Sequence, residues 1–200
     1  MTRYYHRWWL SGLGALLSFM VGSPLYAENF LPKAGTWESG IRTGYSWGKH
    51  KHVGIIPVNL RVGYTFFNGK WWVLPAGAFE LSAEPFASVI TAVRPKRHGS
   101  MELGAGFPVL TYYIDTGTRF TPYGEAGLGM LYTDLRGYTL GGHFSFMEEA
   151  GLGGAYFFNN NLVFNVSWRY RHISNAYLYD SNAGLDTWMV LAGLSYFLPQ

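Results

Sequence analysis

Apolar and polar residues alternate with a period of two through most of this 200-residue chain. The pattern is clearest from Val58 to Phe66, where every second residue is apolar and the residues between them are Asn59, Arg61, Gly63 and Thr65. A β-strand points successive side chains to opposite faces, so this segment has one apolar and one polar face. Segments of about ten residues with this pattern are typical of membrane β-barrel strands, whose outer face meets lipid.

Eight segments fit this period. They lie near 36–47, 57–67, 71–83, 101–114, 120–133, 143–158, 161–174 and 186–197. Two fit less well: Pro75 interrupts the third segment, and adjacent Glu148 and Glu149 put one carboxylate of the sixth on the apolar face unless a bulge intervenes. The sequence predicts an all-β fold, an eight-stranded antiparallel transmembrane β-barrel with an up-and-down meander.

The first 27 residues predict a signal peptide, because Arg3 and Arg7 precede an apolar run and small Ala27 follows it. The run is shorter than the roughly 20 apolar residues of a membrane helix. We expect residues 1–27 to be cleaved and 28–200 to form a barrel in the bacterial outer membrane; a retained single anchor is the alternative. Without Arg3 and Arg7, the Lys and Arg count falls from 15 to 13 against 12 acidic residues. The near-neutral balance indicates no nucleic-acid partner.

The composition supports a sheet protein, since 18% aromatic residues and 26 glycines accompany only 14% charged residues. Cysteine is absent. This excludes disulfides, thiolate zinc sites and cysteine nucleophiles together.

The connections between the predicted strands alternate in length. Compact ones lie near 67–70, 115–119 and 159–161, and longer ones near 48–56, 84–100, 134–142 and 175–185. Outer-membrane barrels have short turns on the periplasmic side and longer loops outside. We therefore expect both termini in the periplasm and the 175–185 loop outside the cell.

An eight-stranded barrel is filled by its own side chains, which argues against a porin. The predicted inward face carries charges of both signs that we expect to pair inside the barrel: Glu38, Arg42, Arg61, Glu125, Arg169 and Arg171.

Three residues of the last two segments can form a catalytic triad. In the seventh segment, His172 and Ser174 follow the aromatic pair Trp168 and Tyr170 on the apolar, lipid-facing side. The loop then returns the chain so that Asp186 lies outward near His172. A serine hydroxyl is a weak nucleophile by itself; an imidazole can remove its proton and a carboxylate can orient the imidazole. The simpler interpretation is that these are ordinary polar residues at strand ends.

The stretches "RYRHISNA" and "NAGLD" closely resemble the signature of the lipid A 3-O-deacylases known as PagL, eight-stranded barrels of the outer membrane. The resemblance is specific over about 20 residues and architectural elsewhere. It implies His172 as base, Ser174 as nucleophile and Asp186 as the acid, where the family more often has Glu. It also matches Asn175 and Asn182, which we take as candidates for the oxyanion site, with Asn182 as the preferred donor.

The resemblance implies an esterase that removes the 3-hydroxyacyl chain at position 3 of lipid A, the membrane anchor of lipopolysaccharide. Such a triad needs no metal and no cofactor. Cations in two outer loops are tentative partners for the lipid A phosphates: Lys49, Lys51, Arg94, Lys96 and Arg97. Solvated loop charge is the simpler interpretation of these residues. His50 and His52 give a weaker case for a metal site, because carboxylates are absent nearby.

Two alternatives stay open at this point. One is a non-catalytic barrel that serves as an adhesin or envelope scaffold through its outer loops. The other is a barrel phospholipase, which would share the triad but bind a different lipid. The sequence also leaves open a homodimer.

Overall fold

The computed structural model describes residues 30–48, 53–92, 100–135 and 140–198. The predicted signal peptide, 1–27, lies outside the described residues. Eight strands follow one another along the chain: β1 (Trp37–Gly48), β2 (Gly54–Lys70), β3 (Ala76–Ala92), β4 (Ser100–Ile114), β5 (Phe120–Thr133), β6 (Phe144–Phe157), β7 (Leu162–Ser174) and β8 (Leu185–Phe197). Each pairs antiparallel with the next, and β1 pairs with β8, so the barrel is closed. The predicted all-β, eight-stranded up-and-down barrel is confirmed.

Across the described ranges, the structure contains no helix with the length and hydropathy needed to cross a bilayer.

The third predicted strand, 71–83, is wrong by several residues, because β3 spans Ala76–Ala92. The apolar residues 71–74 form a turn instead of the start of a strand. At the other end, Glu84 and Ser88 resemble loop residues in the sequence, yet both are buried on the inner face of β3. The strand therefore continues through much of the predicted 84–100 loop.

The second strand is also longer than the predicted 57–67. β2 reaches Lys70, so the predicted 67–70 turn is part of a strand, and the actual connection is 71–75. This connection lies at the same end of the barrel as 115–119 and 158–161 and as both ends of the described chain. Because outer-membrane barrels have their short turns on the periplasmic side, we name this end the periplasmic end and the opposite one the outer end.

The charged residues that were predicted to face inward are all buried in the barrel interior. Arg61 on β2 donates from Nε to Glu38 at 2.7 Å and from Nη2 to Glu80 at 2.5 Å, and it also pairs with Glu84. Arg169 on β7 contacts Glu84 and Glu125 at 2.6 Å each and Glu149 at 3.0 Å.

Two further arginines complete the interior network. Arg42 lies 3.3 Å from Glu125, and Arg171 lies 3.2 Å from Glu102. Four of the carboxylates were not predicted from the sequence: Glu80, Glu84, Glu102 and Glu149. The predicted ion pairing inside the barrel is present, and more strands contribute to it than expected.

Apolar clusters close the interior on both sides of this charged layer. The cluster near the outer end includes Ile55, Phe86 and Ile173, and the cluster near the periplasmic end includes Tyr113, Phe157 and Phe197. Leu31, from the segment that precedes β1, packs into the second cluster. The ion pairs are therefore shielded from water at both ends, which strengthens each of them.

β6 resolves the adjacent glutamates without a bulge, since it pairs with β5 and β7 in continuous register. Glu149 points inward to Arg169, and Glu148 points outward. One carboxylate therefore does lie on the exterior face.

We expect Arg61→Met to destabilise the barrel by about 3–5 kcal/mol, because it leaves three buried carboxylates without their shared cation. Urea unfolding in lipid vesicles, followed by the heat-dependent shift of the barrel on electrophoresis, measures the change. Adding Glu80→Gln to Arg61→Met should recover part of the loss, since one uncompensated charge is removed. A single variant as stable as wild type would contradict the role given to Arg61.

Candidate active site

His172 and Ser174 lie on the exterior of the barrel near the outer end of β7. The inward residues on either side of His172 are Arg171 and Ile173, which are 2% and 0% exposed. The His172 side chain is 39% exposed. Alternation along β7 therefore gives the outward direction that the sequence predicts.

Asp186 contacts His172 directly. The two residues are cross-strand neighbours in the β7–β8 pair, and Asp186 Oδ1 lies 2.6 Å from His172 Nδ1. A carboxylate at this nitrogen favours the tautomer with a proton on Nδ1, which leaves Nε2 free to accept a proton. The shorter aspartate thus reaches the imidazole across the strand pair.

Ser174 lies two residues beyond His172 on the same face, opposite Phe146 of β6. No hydrogen bond joins its hydroxyl to the imidazole within the described part of the chain. Nucleophile and base are often apart in the absence of substrate and approach each other in the substrate complex. The structure therefore joins two of the three predicted residues and puts the third beside them.

Gly184 packs against the imidazole from the loop side. A Cβ at this position would lie 3.0 Å from His172 Cε1 and 3.6 Å from Nε2. The backbone φ is +64°, a conformation that side chains rarely adopt. Glycine therefore satisfies two requirements here, the left-handed backbone and the close approach to the ring.

The predicted oxyanion residues have different surroundings. Asn175 is fully buried, and its side chain accepts from Tyr177 N–H at 2.8 Å and donates to Ser181 O at 2.7 Å. Its backbone N–H donates to Asn182 Oδ1 at 3.0 Å. Asn175 thus organises the loop rather than facing the exterior, and the bond from its backbone N–H holds Asn182 through Oδ1.

Glu148 is a second carboxylate beside His172 that sequence reasoning did not include in the site. It is the cross-strand neighbour of His172 on β6, opposite the side on which Asp186 lies. Only the barrel register reveals this proximity, because the two residues are far apart in the sequence. The sequence did contain one indication of it, because adjacent Glu148 and Glu149 require one of the two carboxylates to point outward.

An apolar groove of about 450 Å³ begins at His172 and Glu148 on the outer surface. Small Ala126 and Ala150 form its floor, and the larger residues around them are Pro108, Leu110, Leu128 and Tyr170. The groove crosses strands β4 to β7, so residues scattered through the sequence build it. Its volume and lining suit a flexible hydrocarbon chain.

Aromatic residues surround the site on its membrane side. Trp168 stacks on Trp188 at 4.7 Å, and Tyr170 meets the same ring edge-on at 5.0 Å. Tyr170 also lies where its hydroxyl can donate a hydrogen bond to Asp186. Such aromatic residues are typical of the membrane–water interface.

The cations proposed for phosphate binding, Lys49, Lys51, Arg94, Lys96 and Arg97, lie outside the described residues, as do His50 and His52. Within 30–48, 53–92, 100–135 and 140–198, no group of three or more His, Asp or Glu side chains is arranged to hold a metal ion.

A sequence model described as lipid A 3-O-deacylase (PagL) matches residues 56–195. The chain belongs to this family. It is therefore a lipid A deacylase of the outer membrane, and the non-catalytic alternative is set aside. No curated protein sequence matches.

Solved structures share the fold. The outer-membrane enzyme PagL is 20% identical, with 78% of this chain and 97% of that chain covered and a TM-score of 0.56. OprG from Pseudomonas aeruginosa is 17% identical, covering 86% of this chain and 100% of that chain, with a TM-score of 0.52. Neisserial surface protein A (NspA) is 15% identical, with 80% of this chain and 95% of that chain covered and a TM-score of 0.54. At these identities the likeness concerns the barrel alone.

We expect Gly184→Ala to lower deacylation at least about tenfold, because the new methyl group displaces the imidazole on which the geometry depends. Mass spectrometry of lipid A from expressing cells measures the activity. Gly117→Ala is the matched control: its φ is +65°, but nothing lies within 4 Å of the added Cβ. Equal losses in both variants would indicate backbone strain rather than displacement of His172.

Proposed function

We propose that this protein hydrolyses the ester of the 3-O-linked acyl chain of lipid A with Ser174 as nucleophile, His172 as base and Asp186 as orienting acid. The contact of 2.6 Å between His172 and Asp186 on the lipid-facing exterior carries the proposal. A paired imidazole and carboxylate beside an outward serine serves ester cleavage, because all three groups face the acyl chains of the outer leaflet.

In the first half of the reaction, Ser174 Oγ attacks the ester carbonyl while His172 Nε2 takes the hydroxyl proton. The tetrahedral intermediate then breaks its bond to the sugar oxygen, which leaves with the proton from His172. Asp186 stabilises the imidazolium throughout. The products of this half are the free sugar hydroxyl and an acyl group on Ser174.

Water completes the cycle. His172 removes a proton from a water molecule, whose oxygen attacks the acyl-serine carbonyl. The second tetrahedral intermediate releases the fatty acid, and the proton on His172 returns to Ser174. The site lies at the outer end of the barrel, where water meets the head groups, so this step needs no channel.

The negative charge on the intermediate needs a donor close to Ser174. Asn182 is our candidate, because its Oδ1 already accepts from Asn175 N–H at 3.0 Å and its amide nitrogen is then directed away from that bond. Asn175 supports the donor indirectly by fixing the loop. Removing one such donor typically lowers kcat by about 100- to 1,000-fold.

The groove beside His172 is our candidate binding site for the released acyl chain, since it is apolar and about 450 Å³ in volume. Substrate bound there has its ester near His172 and its sugar toward the head groups. We further propose that the released chain is a 3-hydroxyacyl chain. The loop cations predicted to pair with lipid A phosphates are Lys49, Lys51, Arg94, Lys96 and Arg97. A homodimer stays a hypothesis.

We expect Ser174→Ala and His172→Ala each to lower deacylation at least about 1,000-fold, because each removes a group that takes part in bond making. Both variants should still show the heat-dependent electrophoretic shift of a folded barrel. Ser39 is an exposed serine on β1, and Ser39→Ala is the control for loss of a hydroxyl from the exterior face of the barrel.

Mass spectrometry of lipid A and of phospholipids from the same cells distinguishes the substrates. Loss of one hydroxyacyl chain from lipid A supports the proposal. Unchanged lipid A together with accumulating lysophospholipid from the inserted wild-type protein would support the phospholipase alternative instead.

Substitutions of the two carboxylates beside His172, Asp186 and Glu148, should lower the rate of deacylation to different extents. We expect Asp186→Asn to lower the rate by about 1,000- to 10,000-fold, because an amide fixes the wrong tautomer, and Asp186→Ala to lose less than Ser174→Ala. Glu148→Gln should cost no more than about tenfold, since Nδ1 is already bound to Asp186. Rates across a pH series with purified protein and lipid A measure both; a larger loss for Glu148→Gln would reassign the orienting acid.

A further inference from the structure

The connection between β2 and β3, residues 71–75, has an unusual composition for a turn at the periplasmic end. Trp71, Trp72, Val73 and Leu74 are consecutive apolar residues. Trp72 is 86% exposed and Val73 75% exposed, among the most exposed large apolar side chains of the described residues. Turns in water favour Gly, Asn, Asp, Ser and Pro instead, because these residues suit the backbone and bind water.

The other two turns at the same end are polar. In 115–119, Asp115 Oδ1 accepts from Gly117 N–H at 2.9 Å, and threonine hydroxyls accept further backbone bonds. In 158–161, Asn159 Oδ1 accepts from the N–H groups of Asn161 and Leu162. The chain therefore uses ordinary turn chemistry at two of the three positions, and residues 71–75 are the exception.

The backbone of the turn is not what a tryptophan favours. Leu74 N–H donates to Trp71 O at 3.0 Å and closes the turn. Trp72 has a φ of +50°, a region that glycine occupies without steric cost. A bulky residue is thus held in a conformation that glycine favours, with most of its apolar surface exposed, and an apolar medium around that side chain would offset both costs.

The turn folds back over the lipid-facing side of the barrel rather than across the lumen. The Trp71 ring meets Phe79 edge-on at 4.7 Å, and Phe79 lies against Phe66 at 6.0 Å and Tyr112 at 4.6 Å. Tyr112 donates from its hydroxyl to Pro75 O at 2.5 Å. These residues belong to the aromatic belt of the outer wall, so the turn is continuous with the surface that meets lipid.

We propose that residues 71–75 anchor the barrel in the periplasmic leaflet, with Trp72 and Val73 inserted among phospholipid head groups and upper acyl chains. Tryptophan is the residue that interfaces favour, because its ring is apolar and its N–H can bind a polar group. Lys70, exposed at the end of β2, is placed to approach lipid phosphate. The occupant of this apolar surface is therefore phospholipid, and no protein partner is required.

The absence of native cysteine permits a direct test. Val73→Cys is labelled with an environment-sensitive fluorophore and folded into phosphatidylcholine vesicles, with and without doxyl-labelled phosphatidylcholine. Asn160→Cys, in the exposed part of a polar turn at the same end, is the matched control. We expect the Val73 label to emit at shorter wavelength and to be quenched at least twofold more by the doxyl lipid than the Asn160 label.

Equal quenching of the two labels, or a Val73 label as accessible to iodide as the Asn160 label, would overturn the proposal. Either result would indicate that the turn projects into the periplasm, where only a protein could cover it. The heat-dependent electrophoretic shift verifies folding of each labelled protein.

A second variant tests the energetic side. Trp72→Gly removes the steric cost of the positive φ at this position. If the turn is exposed to water, the variant should therefore be at least as stable as wild type. We expect the folding equilibrium constant in phosphatidylcholine vesicles to fall at least tenfold instead, because the interfacial side chain is lost. Unfolding in urea at or above the wild-type midpoint would contradict insertion.

Discussion

The alternation of β7 depends on the charges at its inner face. Arg169 binds three carboxylates and Arg171 binds Glu102, and all of these groups are buried. A slip of one residue would move both guanidinium groups into lipid and His172 into the interior, at a cost that far exceeds the stability of a domain. The interior ion pairs therefore fix the outward direction of His172 and Ser174.

The same network allows the barrel to be rigid while its site stays open to substrate, two requirements that compete in most enzymes. The interior is dense, closed by apolar clusters and free of any need to bind substrate, so it can be rigid. The proposed reacting groups, His172, Ser174 and Asp186, project from the outer wall of the barrel, toward the lipid that contains the substrate. His172 lies between strand neighbours on β6 and β8, and the register that pairs it with Asp186 also brings Glu148 and the groove beside it. A rigid wall thus preorganises a site that has no enclosing cavity.

The sequence predicts those parts of the structure that depend only on the alternation of apolar and polar residues along a strand. The bounds of β5 are correct, and the outward direction of His172, Ser174 and Asp186 follows from alternation. The prediction failed for β3 because the apolar residues 71–74 resemble a strand while inward Glu84 resembles a loop residue. Glu148 and the groove were missed for a different reason: they arise from register between strands, which a single sequence does not reveal. The hydrogen bonds of Asn175 within its own loop depend on backbone geometry, which the sequence does not reveal either.

The depth of the site follows from strand geometry. Phe164 is an exposed aromatic residue near the periplasmic end of β7, opposite Tyr156 on β6. The eight residues from there to His172 rise about 26 Å along the strand at ~3.3 Å each. A tilt of about 40° reduces this to about 20 Å along the membrane normal, just inside an apolar band about 25 Å tall. If Phe164 marks the lower edge of that band, we expect the imidazole near its upper edge, where ester bonds join acyl chains to the sugar. Anchoring the opposite end by residues 71–75 would hold that depth constant, because a barrel fixed at its periplasmic rim cannot shift vertically without exposing tryptophan to water.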